Sequence, residues 1–249
     1  MNPNLVETLS TTQKNPSKKQ IILALDVPNA DEAIRFTQIL KNHVDFFKIG
    51  SQLFTASGPD IVRKILQSGC QVFLDLKFHD IPHTVAAACV EAGRLGVHML
   101  TLHALGGETM MRHARKTLQE ISRKEGWKPP KLIAVTILTS MDQSFLTSTG
   151  IDRTLEEETL LLARSAKRAG MNGIVCSPKE LRLLRKEKFR GMLFVTPGIR
   201  SAENSHDDQL RTMTANEALL EGADYLVVGR PIIRSENPVQ AVQKMVAGN

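Results

Sequence analysis

The chain has 249 residues, of which 42% are apolar and 23% are charged, a composition that excludes disordered and collagen-like proteins. This length suits one α/β barrel, a fold of about 250 residues. The formal net charge of +6 is compatible with nucleic-acid binding or with a site for an anionic small molecule.

The first 19 residues differ in composition from the rest of the chain. They are rich in Ser, Thr, Asn and Lys and lack the apolar segment of a secretory signal. We predict a flexible polar tail over residues 1–19 and one domain over residues 20–249. No apolar run approaches the roughly 18 residues that a membrane helix needs. The sequence therefore predicts a cytoplasmic protein without membrane contact.

After this tail, short apolar runs alternate with amphipathic segments. Eight strands are predicted: Gln20–Val27, Asp45–Ile49, Gln71–Leu76, Val97–Leu102, Leu132–Leu138, Gly173–Cys176, Met192–Thr196 and Asp224–Val228. Eight such repeats favour an α/β fold, a single-domain TIM (β/α)8 barrel, and an open doubly wound sheet is the alternative.

The connections between strands carry helix start and stop signals. Asn29, Thr154 and Ser177 are each followed three residues later by Glu, which resembles a capping box. The predicted helix ends fall at glycines that suit a left-handed C-cap: Gly69, Gly96, Gly170 and Gly222.

Three residue classes argue against other functions. The densest basic run alternates with Leu and Glu at helical spacing, as on a solvated helix face; it comprises Arg182, Arg185, Lys186, Lys188 and Arg190. With one Trp and one Tyr, the chain lacks an aromatic platform for single strands, so no nucleic-acid partner is predicted. The three cysteines form no CxxC pair, which favours buried thiols: Cys70, Cys89 and Cys176.

Polar residues gather where the predicted strands end. They are Asp26, Lys48, Asp75, Lys77, Thr139, Ser140, Thr196, Pro197, Gly198, Gly229 and Arg230. In TIM barrels the carboxyl ends of the strands build the active site, so these groups are expected to converge on one mouth.

The third strand is the most informative segment. Asp75 and Lys77 are two residues apart and therefore share one face, and Asp80 follows after the strand. Buried charges are costly, which favours a reactive Lys held among carboxylates over the alternative of a structural ion pair. Lys48 is a second candidate cation, although a strand-end Lys can also extend toward solvent.

The segment Asp75–Asp80 resembles the D-x-K-x-x-D signature of the orotidine 5'-monophosphate decarboxylase family. Five further segments at strand ends resemble the same family: Leu23–Asp26, Phe47–Gly50, Val135–Ser140, Val195–Arg200 and Val227–Ile232. The resemblance implies decarboxylation of orotidine 5'-monophosphate to UMP and CO2, the last step of de novo pyrimidine biosynthesis, without a cofactor or a metal.

The resemblance also implies roles for single residues. The catalytic group would be Lys77, which protonates C6, with Asp75, Asp80 and Lys48. In a homodimer, Asp80 would reach the neighbouring subunit's site, with Ile81 and Thr84 beside it. The remaining substrate contacts would be Asp26 and Lys48 to ribose, Thr139 and Ser140 to the pyrimidine, Pro197 near the ring, and Arg200, Gln209, Gly229 and Arg230 to the phosphate.

Two positions depart from the family pattern. His83 stands where Asn is usual, which leaves the helix start after Pro82 uncertain, and residues 213–216 lack the usual Thr-Pro, which leaves the next helix cap uncertain. His79 and His83 are spaced like two ligands on a helix, but Pro82 interrupts that stretch, so no metal site is predicted.

Two other functions remain open. A Mg2+-dependent sugar-phosphate decarboxylase or aldolase of the same barrel group would share the D-x-K-x-x-D segment. A non-catalytic nucleotide- or nucleic-acid-binding barrel would use the positive charge alone. In the favoured enzyme, the long segments Met141–Arg153 and Ser201–Met213 are predicted to act as lids over the mouth.

Overall fold

The computed structural model describes residues 16–187, 189–200 and 213–247. Eight parallel strands form a closed barrel in the order of the sequence, which confirms the TIM barrel and rules out an open sheet. The strands are β1 (Ile21–Ala24), β2 (Phe46–Gly50), β3 (Gln71–Phe78), β4 (Met99–His103), β5 (Lys131–Val135), β6 (Gly173–Val175), β7 (Leu193–Thr196) and β8 (Tyr225–Val228).

Helices follow each strand and cover the outside of the barrel. Those in the described ranges are α1 (Ala30–Leu40), α2 (Ser51–Ser57), α3 (Asp60–Gln67), α4 (Pro82–Arg94), α5 (Gly107–Glu125), α6 (Gln143–Ser148), α7 (Leu155–Arg168), α8 (Leu181–Lys186), α9 (Ala215–Leu220), α10 (Arg230–Ile233) and α11 (Pro238–Ala247). Single 3-10 turns occur at Ala104–Gly106 and Pro178–Glu180.

The strand boundaries differ from the prediction in two instructive places. β3 continues two residues past the predicted end at Leu76, so that Lys77 belongs to the strand. β5 stops at Val135 rather than Leu138. There the Thr136 hydroxyl donates to the Val175 carbonyl at 2.9 Å, so a side-chain hydrogen bond follows the end of the ladder.

The helix signals are largely confirmed. Thr154 opens α7 through a complete capping box. At the 3-10 turn before α8, the backbone N–H of Ser177 donates to the Glu180 carboxylate at 2.8 Å. Thr214 also forms a capping box, with Glu217, so the departure at residues 213–216 leaves this cap intact. Likewise α4 begins at Pro82 despite His83. The four predicted helix-end glycines have positive φ, from 78° to 106°.

Side chains that point into the barrel form a compact apolar layer near its amino-terminal end. We call this the apolar layer; it contains Ile22, Ala24, Phe46, Phe73, Met99, Ile133, Val195 and Val227. The alternate residues of the same strands point outward and pack with the helices into the larger core. The apolar layer therefore fills the barrel beneath the polar groups at the carboxyl-terminal ends of the strands.

The basic residues of α8 and the cysteines behave as predicted. Arg182 pairs with Glu221, and Arg185 pairs with Asp224 across neighbouring helix ends, while Lys188 lies outside the described residues. All three cysteines are free and buried. In the described part of the chain, no helix is both long and apolar enough to span a bilayer.

Candidate active site

A cavity of about 270 Å3 opens at the carboxyl ends of the strands. Its lining brings together ten of the predicted site residues: Asp26, Lys48, Asp75, Lys77, Thr139, Ser140, Pro197, Arg200, Gly229 and Arg230. Apolar side chains from the barrel interior, such as Phe73 and Val227, form its floor. The cavity is thus a polar mouth above an apolar base.

Four alternating charges form one side of this mouth, and we call them the charged cluster: Asp26, Lys48, Asp75 and Lys77. Lys48 Nζ lies 3.0 Å from Asp26 Oδ1 and 3.6 Å from Asp75 Oδ2. Lys77 Nζ lies 2.9 Å from Asp75 Oδ1. Each buried charge therefore faces at least one opposite charge, which offsets much of the cost of burial.

The electrostatics of the cluster favour the charged forms of Lys48 and Asp75. Burial opposes the charge of Lys48, but Asp75 and Asp26 outweigh it, so the pKa of Lys48 is raised. Burial opposes the charge of Asp75 as well, but Lys48 and Lys77, with hydrogen bonds from Lys77 and Thr101, hold its pKa below the usual range. Both groups are thus charged at neutral pH.

The accessibility of the cluster differs from member to member. The side chains of Lys48 and Asp75 are 10% and 13% exposed, whereas that of Lys77 is 37% exposed. Lys48 is held between two carboxylates, so it does not extend into solvent as the alternative for a strand-end Lys required. Of the two lysines in the charged cluster, Lys77 is therefore the more accessible to a molecule in the cavity.

The local fold of β3 explains where these charges point. Phe73, Asp75 and Lys77 share the inward face of the strand, because side chains alternate along it. Lys77 has a φ of 51°, and the pairing of β3 with β4 shifts between Leu74 and Phe78. The end of β3 therefore leaves regular strand geometry where the Lys77 side chain enters the mouth.

Sequence reasoning missed Thr101, a fully buried residue of β4. Its hydroxyl donates to Asp75 Oδ1 at 3.0 Å and accepts from the backbone N–H of Lys77 at 2.8 Å. A signal was present, because Thr101 is a polar residue at an inward position two residues after Met99 of the apolar layer. Nothing local, however, indicates which residues of β3 it meets.

Asp80, Ile81 and Thr84 are not part of this cavity. They follow β3 and begin α4, where all three are exposed, and Ile81 is 65% exposed. The Asp80 carboxylate accepts from the backbone N–H of Ile81 at 2.6 Å. Within the described part of the chain, Asp75 is the one carboxylate at ion-pair distance from Lys77.

The predicted phosphate residues that the structure describes follow β7 and β8, and Gly229 lies next to Asp26 of the charged cluster. Gly229 precedes α10, and a Cβ atom there would lie 3.3 Å from Asp26 Oδ2. Arg230 begins α10, and Arg200 follows β7 and donates to the carbonyl of Ile199 at 2.9 Å. Gln209 lies outside the described residues.

The two histidines that were considered as metal ligands are separated by the start of α4. His79 precedes that helix, and its ring stacks on His103 with centroids 5.5 Å apart. Burial, followed by the charges of His79 and Lys77, lowers the pKa of His103 to about 4. Among the residues described, no group of three His, Cys, Asp or Glu side chains is arranged to hold a metal ion.

The predicted lid after β5 has a structure of its own. Residues 141–153 contain α6, which Asp142 caps. Gln143 connects the two ends of this segment, because its side chain donates to the carbonyl of Arg153 at 3.0 Å and accepts from the backbone N–H of Leu155 at 2.8 Å. The other predicted lid falls on residues 201–212, outside the described ranges, apart from Met213.

Comparison with known proteins assigns this barrel to a family. The family model described as "Orotidine 5'-phosphate decarboxylase / HUMPS family" matches residues 19–245. The chain belongs to this family. The match includes every strand of the barrel and all of the described residues that line the cavity.

Individual relatives carry the same name. The chain is 48% identical to orotidine 5'-phosphate decarboxylase of Pelobacter propionicus, over 94% of this chain and 96% of the relative. It is 48% identical to that of Syntrophotalea carbinolica, over 92% and 94%. A crystal structure of orotidine 5'-phosphate decarboxylase from Lactobacillus acidophilus superposes with a TM-score of 0.80 at 36% identity, covering 91% of this chain and 97% of that one.

Proposed function

We propose that this chain decarboxylates orotidine 5'-monophosphate to UMP and CO2. The observation that carries the proposal is the charged cluster, in which the partly exposed Lys77 lines the cavity beside the buried carboxylate of Asp75. The names of the relatives favour this substrate over the phosphorylated sugars of the alternative, because curated relatives at 45–48% identity carry the orotidine name.

The chemistry requires a stabilised carbanion. When the bond between C6 and the carboxylate breaks, CO2 leaves and the electron pair stays on C6, in an in-plane orbital that the ring cannot delocalise. The Lys77 ammonium then stabilises this charge electrostatically and transfers one proton to C6. Asp75 Oδ1 lies 2.9 Å from Lys77 Nζ, and this contact holds the ammonium in place before the transfer.

The rest of the mouth then binds the nucleotide. Asp26 and Lys48 contact ribose hydroxyls, while Thr139 and Ser140 contact the pyrimidine and Pro197 packs near its ring. Gly229 and Arg230, with Arg200 and Gln209, hold the phosphate, since the last βα loops of barrels commonly bind this group. Phosphate contacts far from C6 supply binding energy that orders the site for the reaction.

The deciding experiment is a spectrophotometric assay with orotidine 5'-monophosphate in the presence of EDTA. It follows the loss of the orotate chromophore and the appearance of UMP. We expect turnover without added metal or organic cofactor. Absence of turnover by folded protein would refute the proposal and would move the assay to phosphorylated sugars with Mg2+.

The proposed active form is a homodimer in which Asp80 completes the neighbouring site. Its support is that Asp80 lies outside its own chain's cavity, next to an exposed isoleucine, Ile81. A single surface that carries both an apolar residue and a carboxylate fits a symmetric contact with a second copy.

Subunit complementation tests this arrangement. Lys77→Ala and Asp80→Ala are each expected to be inactive, because every site of either homodimer lacks one group. After the two variants are mixed and allowed to exchange subunits, activity should return to about a quarter of wild type, since each mixed dimer contains one intact site. If activity does not return although native mass spectrometry with one tagged variant verifies the exchange, Asp80 acts within its own chain.

A further inference from the structure

The backbone at Lys77 adopts a conformation that side chains rarely take. Among the described residues, Lys77 is the one residue other than glycine that has a positive φ, 51°. Such a conformation persists only where surrounding contacts hold it. The pairing of β3 with β4 is irregular here, between Leu74 and Phe78, so the regular ladder does not supply those contacts.

Thr101 supplies a contact in place of the ladder. Its hydroxyl accepts a hydrogen bond from the Lys77 backbone N–H at 2.8 Å and donates one to Asp75 Oδ1 at 3.0 Å. A hydroxyl offers one donor and two acceptor sites, so both bonds can form at once. Thr101 is completely buried and does not line the cavity.

The two hydrogen bonds of Thr101 reach both residues of one ion pair, Lys77 through its backbone and Asp75 through its carboxylate. Asp75 Oδ1, which accepts from Thr101, also accepts from Lys77 Nζ at 2.9 Å. The Thr101 hydroxyl thus connects the backbone of Lys77 to the Asp75 carboxylate, which the Lys77 ammonium also contacts. The same hydrogen bond is one of the influences that lower the pKa of Asp75.

We infer that Thr101 is a positioning residue: its hydroxyl holds the left-handed backbone of Lys77 and thereby directs the ammonium toward Asp75 and the cavity. The inference rests on the proposed function insofar as Lys77 is the proton donor. Thr101 itself does not touch the reacting atoms, so its effect should appear in kcat rather than in nucleotide binding.

The test uses a variant that removes only the hydroxyl. Thr101→Val keeps the shape of the side chain, and it is expected to lower kcat about 10- to 100-fold, as misplacement of a reacting group does, with KM within about two-fold of wild type. Thr101→Ser restores the hydroxyl and is expected to recover most of the lost rate.

A matched control separates positioning from stability. Thr37 is fully buried in α1 and does not line the cavity, and its hydroxyl donates to the Ala33 carbonyl at 2.8 Å. Thr37→Val should lower the melting temperature as Thr101→Val does but leave kcat unchanged. A normal kcat in Thr101→Val, or an equal loss in Thr101→Ser, would overturn the inference.

A second readout does not depend on the reaction. In a crystal structure of Thr101→Val, we expect the Lys77 backbone to leave the left-handed region and its ammonium to lose the contact with Asp75. If φ stays near 51° and the 2.9 Å contact persists, the positioning role is refuted even if the proposed substrate is wrong. Conversely, wild-type protein without turnover refutes the proposed function alone.

Discussion

The apolar layer and the charged cluster lie one above the other in the same barrel interior, and the same alternation of side chains builds both. On β3, Phe73 belongs to the apolar layer, and Asp75 and Lys77 belong to the charged cluster. Burial of apolar surface stabilises the fold, whereas a buried ion pair contributes little net stability. Removing one member of such a pair is destabilising, because the other charge is then buried without a partner. The comparison shows that the barrel's stability and its proposed reactivity are carried by neighbouring positions of single strands.

Lys77→Ala should give the largest effect, a loss of activity from the charged cluster with the apolar layer left intact. The variant is expected to lose at least about 10^4-fold in turnover, because both the proton donor and the charge that faces the carbanion are removed. The protein should stay folded and bind UMP, which isothermal titration calorimetry can measure.

The control for this variant is an exposed lysine elsewhere on the barrel. Lys116 on α5 pairs with Glu120 at the surface, and Lys116→Ala should keep wild-type kinetics. Turnover of Lys77→Ala within about ten-fold of wild type would remove Lys77 from the chemistry, since a general acid contributes more than that.

Ile133→Ala should break the apolar layer instead. This fully buried residue of β5 does not line the cavity, and its truncation should cost about 2–5 kcal/mol in the free energy of unfolding. Urea denaturation measures that change. Ile39, which is 40% exposed on α1, provides a matched substitution that should cost less than about 1 kcal/mol. Equal losses in the two variants would contradict the assignment of the apolar layer as a principal source of stability.

Arg230→Ala should weaken nucleotide binding without removing the chemistry. Loss of charged hydrogen bonds to phosphate should raise the dissociation constant of UMP about 10- to 100-fold and leave that of uridine unchanged. Arg234, which is exposed just after α10, is the control and should have no effect. If uridine and UMP lose affinity to the same extent, the phosphate does not bind at Arg230.

The buried His103 should make the stability of the protein depend on pH. Its pKa is lowered from 6.5 to about 4, so between these values the unfolded chain binds more protons than the folded one. Stability should therefore fall as the pH drops from about 6.5 toward 4, by up to about 1.4 kcal/mol per pH unit. His103→Asn removes this titration and should flatten the dependence in urea denaturation series. An unchanged slope would contradict a neutral, buried His103.

The strands could be predicted from the sequence, whereas the contacts between strands could not. The eight-fold rhythm predicted the barrel, because the period of two along a strand and the helix caps are local patterns. The spacing of Asp75 and Lys77 likewise predicted their shared face. The end of β5 was misplaced, because the hydrogen bond from Thr136 to Val175 joins residues far apart in the chain.

The roles of single residues show the same division. Spacing along one strand was sufficient to single out Lys77, but it did not show that Lys48 lies between Asp26 and Asp75. Nor did it reveal Thr101, whose importance depends on its register against β3. Asp80 stays a prediction, because its partner would belong to a second copy of the chain.

Local sequence was enough to define the fold class, the inward faces of the strands and the charged residues of the mouth. These follow from backbone periodicity and from the cost of burying unpaired charge, which act within a few residues. Only the tertiary structure decided which side chains of different strands become neighbours. It did so because the closure and register of a barrel are set by all eight strands together, so that Lys48, Asp75, Lys77 and Thr101 meet only once the barrel has closed.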